Sequence, residues 1–146
     1  MSEQGKTVNA TVKLLDNGLK FSARADSGHE IAMDGPSEHG GSDSAPRPME
    51  MVLMGLGGCT AMDAISILRK KKQDITGLVV NLNGVRAESH PMRYENVELE
   101  FIVTGKGVDE AAVKRAIELS MEKYCSVKFT LERETDIKYT YKVEEG

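Results

Sequence analysis

A chain of 146 residues with a formal charge of −4, 40% hydrophobic and 29% charged residues, has the size and balance of one folded domain, 1–146, with a real core. Disordered chains bury less apolar surface and nucleic-acid binders carry a basic excess, so composition argues against both classes and against a polyanion partner. The first ten residues hold no apolar leader core and the longest apolar run, near Met49 to Leu56, reads as too short to cross a bilayer, so the expectation is a cytoplasmic protein without a membrane segment.

Thr7 to Leu15 and Leu19 to Ala25 alternate apolar and polar residues around Asp16-Asn17-Gly18. Asn-Gly suits the positive φ angles of a tight hairpin, so the chain opens with two antiparallel strands. His29 to Met33 adds a short third strand. Asp34 to Pro46 is rich in Gly, Ser, Asp and Pro and reads as a mobile surface loop, either a solvated connection or a rim over whatever follows.

The stretch from Ala45 to Lys72 organises the rest. It enters through Pro46 and Pro48, carries a lone acid, Glu50, on an apolar run, and contains Gly55, Gly57 and Gly58 immediately before Cys59. Each glycine costs a helix about 1 kcal/mol against alanine, so the spacing predicts a helix that breaks at the glycines and restarts at Cys59. A restart would aim free N–H groups and the positive end of a helix dipole at the thiol, favouring thiolate. Read without that bend, Cys59 is a small buried hydrophobe. The basic run Arg69 to Lys72 opposes the negative end of the helix dipole and is a solvated helix end.

Ile75 to Ser89 and Tyr94 to Thr104 alternate in the same way and are joined through His90-Pro91-Met92-Arg93, predicting a second hairpin with His90 as a turn residue. Asp109 to Tyr124 is an amphipathic helix, with Val113, Ala116, Ile117, Ser120, Met121 and Tyr124 on one stripe and Cys125 just past its end. Phe129 to Val143 returns to strand. The order predicts an α+β domain with antiparallel sheet.

Cys59 and Cys125 are the only cysteines. They are two inert buried thiols, a redox pair brought together by the fold, or part of a metal site. The histidines His29, His39 and His90 stand singly without ligand spacing, which argues against metal. Glu50 lies on the far side of an unbroken helix from Cys59, so the two meet only if the helix bends at the glycines. A bare carboxylate there would disfavour thiolate, which makes a cation necessary; Arg47, one turn from Glu50, and Arg24, in the second strand, are the candidates. Glu50 is otherwise a first-turn capping acid. A thiol attacking a peroxide oxygen becomes a sulfenic acid, which a second thiol converts to a disulfide.

PMEMVLMGLGGCT around Glu50 and Cys59, followed by EKYCSV around Cys125, resembles the OsmC/Ohr family of osmotically inducible and organic hydroperoxide resistance proteins, and more closely its OsmC-like branch. The resemblance covers essentially the whole chain. It implies an OsmC-like fold in which antiparallel sheets pack on two long central helices of an intertwined homodimer with sites at the subunit interface. It implies further that organic hydroperoxides are reduced without metal, flavin or other cofactor, with Cys59 as the peroxidatic thiol, Cys125 as the resolving thiol, and Glu50 orienting an arginine, Arg24 or alternatively Arg47. The reductant is then a dithiol of small-molecule or lipoyl type. The alternative is a non-enzymatic dimer with inert thiols that binds a small apolar molecule at its interface, a use to which the eight methionines are suited.

Overall fold

The computed structural model describes residues 5–146, and the reading of the N-terminal leader falls partly outside them. The described residues form two compact units, one up to Val52 and one from Leu53 onward.

The first unit holds a meander of β1 (Ala10–Leu14), β2 (Phe21–Ala25) and β3 (Glu30–Met33). Both pairings are antiparallel, as the alternation around Asn17-Gly18 predicts. After β3 comes a single 3-10 turn, Ser37–His39. The segment expected to be a mobile loop is tied together by one buried acid. Asp34, only 2% exposed, accepts hydrogen bonds from the backbone N–H groups of Gly35, Ser42 and Ser44 and from the Ser44 hydroxyl, at 2.7–3.2 Å. These donors, the Ser44 hydroxyl foremost, lower its pKa from 3.8 to about 2 against the opposing effect of burial. A carboxylate whose pKa falls on folding stabilises above its unfolded value, and that contribution is lost as pH drops through the folded one. Asp34→Asn should therefore lower Tm at pH 7, and the gap from the parent protein should close between about pH 4 and pH 2. A gap that persists unchanged at low pH would mean that the charge contributes nothing.

The second unit begins within helix α1 (Pro48–Lys70), continues through β4 (Asp74–Arg86), β5 (Tyr94–Lys106) and α2 (Glu110–Leu119), and ends with α3 (Ser126–Leu131) and β6 (Asp136–Glu145). Between α2 and α3 the residues Ser120–Tyr124 form a wider π turn. The sheet order is β4-β5-β6, with β4 antiparallel to β5 but β6 parallel to it. The expectation of purely antiparallel sheets is thus corrected for this sheet. A parallel neighbour needs a crossover, which α2 and α3 supply. A second correction concerns Phe129 to Leu131, expected as strand, which belong to α3, so that the last strand starts at Asp136.

Val97, Leu99, Phe101 and Val103 on one face of β5 are at most 1% exposed. They share the core with Leu56, Ala64 and Leu68 of α1 and with Val113, Ala116 and Ile117 of α2, all fully buried. Asp109 caps α2 by accepting from the Ala111 N–H at 3.0 Å.

Helix α1 is continuous, and the predicted break at Gly55, Gly57 and Gly58 does not occur. Gly57 explains part of the pattern. A Cβ there would stand 2.7 Å from a methyl carbon of Leu82 on β4, so the missing side chain lets helix and sheet approach closely. Because the helix runs through the glycines, its 23 residues are long and apolar enough, by length and composition, to cross a membrane. That overturns the expectation of an apolar segment too short to do so. The same length and composition occur in core helices of soluble folds, and here Leu53 and Gly57 lie against Gly84 and Leu82 of β4. Of its most apolar eighteen-residue stretch 28% is buried in the protomer.

Candidate active site: two thiols and an acid

Cys59 and Asp63 are one helical turn apart on α1 and therefore share a face. Both are half-buried. Opposite them, α2 runs into the π turn, where the Cys125 N–H donates to the Ser120 carbonyl at 2.8 Å. Cys125 then caps α3, its Sγ accepting from the Lys128 N–H at 3.5 Å. The result is a cluster in which the Cys59 and Cys125 sulfurs and a carboxylate oxygen of Asp63 all lie within 4.8 Å of one another.

A polar network fixes the two sides of the cluster. The Ser120 hydroxyl donates to Asp63 Oδ2 at 2.8 Å and accepts from the hydroxyl of buried Thr60 at 2.8 Å, with the Met121 sulfur 3.5 Å from the Thr60 oxygen. Buried hydroxyls of this kind need partners, and these side chains satisfy one another across the helix interface.

Cys125 is fully buried, and burial above all pushes its thiol up to about 11, with Cys59 and Asp63 adding to the rise and the Lys128 N–H opposing it. At neutral pH Cys125 is a neutral thiol. The half-exposed Cys59 is the sulfur a substrate can approach.

The other candidates, Glu50, Arg47 and Arg24, belong to the first unit, and each has its own local setting. With α1 unbroken, Cys59 sits in mid-helix rather than at a restarted N-terminus, so no dipole end is aimed at it. Glu50 precedes it by about two and a half turns and leaves the helix on the opposite side. Glu50 instead completes a capping arrangement, accepting the Arg47 N–H at 2.8 Å, with Pro48 in the first helical position. The bend that was to bring Glu50 to Cys59 is absent. The Arg47 guanidinium pairs with Asp43 at 2.7 Å and donates to the Ala45 carbonyl at 3.2 Å. Arg24 is an exposed residue of β2, opposite Thr11 and Glu30. The sequence reading missed Asp63, whose one signal was its position a turn beyond Cys59. It also missed Ser120 as anything other than a stripe residue.

A half-exposed thiol facing a buried one, carried on a long helix laid against a three-stranded sheet, defines a dithiol protein of the α+β class. Residues 40–140 match the OsmC family, described as OsmC-like protein, and the chain belongs to that family. Among its relatives, protein YhfA of Escherichia coli K12 is 47% identical over 136 residues, 93% of this chain and 98% of that protein. A solved structure from Aquifex aeolicus, 29% identical, superimposes with a TM-score of 0.84 over 97% of this chain and 99% of that one. An organic hydroperoxide resistance protein OsmC from Legionella pneumophila shares the fold alone, at 14% identity and a TM-score of 0.69 over 95% of this chain and 98% of its own. The OsmC-like fold read from the two cysteine motifs is the fold of this chain.

Proposed function

We propose that the protein is a thiol-dependent reductase of organic hydroperoxides, working as a homodimer in the cytoplasm. The observation that carries this reading is the meeting of Cys59 and Cys125 in one cluster, although they lie far apart in sequence. A lone pair of the Cys59 sulfur attacks the outer peroxide oxygen, the O–O bond breaks, and the alkoxide leaves as alcohol with a proton, giving Cys59–SOH. The Cys125 sulfur then displaces hydroxide, which leaves as water, and a Cys59–Cys125 disulfide forms. A dithiol of small-molecule or lipoyl type reopens it by exchange and is itself oxidised to a disulfide. The relatives named for organic hydroperoxide resistance point to the same chemistry. No further cofactor enters this cycle.

The dimer rests on α1. Met54 and Met62 are 49% and 72% exposed on it, and an apolar helix with so much open surface finds its cover in a second copy of the chain. In this reading Glu50 and Arg24 serve a site through the partner copy, and Arg47 holds the start of α1. The test is consumption of cumene hydroperoxide by the reduced protein with dithiothreitol or dihydrolipoamide. Turnover at several per second supports the reading, and a rate no higher than that of the reductant alone overturns it.

One feature favours the non-enzymatic alternative, a cleft of about 360 Å³ in the first unit lined by Val12, Leu19, Phe21, Met33, Asp34, Gly35 and Pro48. Such a lining suits a small apolar ligand. Saturable binding of an apolar fluorophore without any hydroperoxide turnover would select that reading.

A further inference from the structure

We propose that the reduced site binds a divalent metal ion of zinc type through the Cys59 and Cys125 sulfurs and the Asp63 carboxylate. The histidines gave no ligand spacing, but a carboxylate one helical turn from a cysteine fills the same role without them. The three ligand atoms lie within 4.8 Å of one another. In a tetrahedral zinc site the ligands stand about 3.5–3.8 Å apart, given bond lengths near 2.3 Å to sulfur and 2.0 Å to oxygen. Side-chain rotation of about 1 Å closes that difference. Two thiolates and one carboxylate form a borderline-soft set that suits zinc and rejects magnesium and calcium.

The surroundings also match what such a site needs. Ligating carboxylates are held by outer hydrogen bonds, and Ser120 donates to Asp63 Oδ2 at 2.8 Å, leaving the second oxygen for the ion. The Lys128 N–H donates to the Cys125 sulfur at 3.5 Å and orients it; the ion itself must displace the thiol proton that burial retains. Cys59 and Asp63 are half-exposed, so the fourth position opens to water. Binding releases the two thiol protons to solvent and breaks no other bond. The sulfur lone pairs that would attack peroxide are then engaged by the ion, so metal and oxidant compete for the same reduced pair.

The inference shares its residues with the proposed reductase but does not depend on that activity. The test is anaerobic titration of the full-length reduced protein with Co²⁺, followed by displacement with Zn²⁺ in competition with a chromophoric chelator. One ion per chain, with a sulfur-to-cobalt charge-transfer band and tetrahedral d–d bands, is expected. Asp63→Asn and Cys125→Ser should each weaken binding at least about tenfold, and Ser120→Ala, a positioning change, by about tenfold. Oxidation to the disulfide with diamide should abolish it. Absence of the charge-transfer band in the parent protein, or affinity unaltered by Asp63→Asn in a variant with native circular dichroism, overturns the proposal. Metal binding without hydroperoxide turnover would uphold this site and sink the reductase reading; turnover without metal binding would do the reverse.

Discussion

Cys59→Ser is expected to lower hydroperoxide turnover at least about a thousandfold, to the level of the reductant alone. A serine hydroxyl is a poor nucleophile toward peroxide oxygen and has no oxidised state to pass on. The buried Cys125 cannot substitute, because it is fully buried and its thiol is held up at about 11. Cys125→Ser separates the two halves of the cycle. The first oxidation should proceed once per chain and stop, leaving a Cys59 sulfenic acid that dimedone labels and mass spectrometry locates. Steady turnover by Cys59→Ser, or no label on Cys59 after peroxide in Cys125→Ser, would remove the mechanism.

The largest effect on stability is expected at Phe101, which is fully buried in the central strand of the second sheet. Its ring meets Tyr139 of β6 edge to face, with centroids 6.3 Å apart and planes at 89°. Phe101→Ala loses the transfer free energy of the ring and leaves a cavity in the core face of the sheet, for about 3–5 kcal/mol. At this chain length that lowers Tm by roughly 10 °C. Phe101→Leu, which keeps most of the volume, should cost about 1–2 kcal/mol. A thermal shift for the alanine variant no larger than that for leucine would show that the ring does not anchor the sheet.

Much of this architecture is legible in the residues. Alternation gave the hairpins, and the stripe from Val113 to Tyr124 gave α2, although the α-helix closes at Leu119 and the last five residues of the expected helix widen into the π turn. What was misread was misread for physical reasons. The glycine cluster counts as a break when each residue's helix propensity is weighed alone; the close approach of Gly57 to Leu82 is a tertiary gain that no local scale contains. Within one chain Glu50 accepts the Arg47 N–H at the start of α1, as a capping acid does. A period of two is the same in parallel and antiparallel pairs, so the direction of β6 relative to β5 could not be read from alternation. Phe129 to Leu131 joined α3 because Cys125 caps a new helix, an act of its side chain rather than of its hydropathy. In the site, the cysteines were found by their contexts, whereas Asp63 passed as one more polar residue on an amphipathic helix. Its meaning depends on Ser120 and Cys125, which the fold brings from another element.

The π turn at Ser120–Tyr124 has a geometric consequence. Inserting one residue into a helical turn rotates everything after it by about 100° relative to an unbroken α-helix. Cys125 follows that turn directly, so its azimuth around the α2 axis is set by the width of the turn together with the Lys128 N–H that its sulfur accepts. Shortening the turn by one position would shift buried Ser120 and Met121 along with everything after them, and so swing the second thiol out of phase with the first. The distance between the two sulfurs thus depends on a count of backbone units as well as on side-chain contacts.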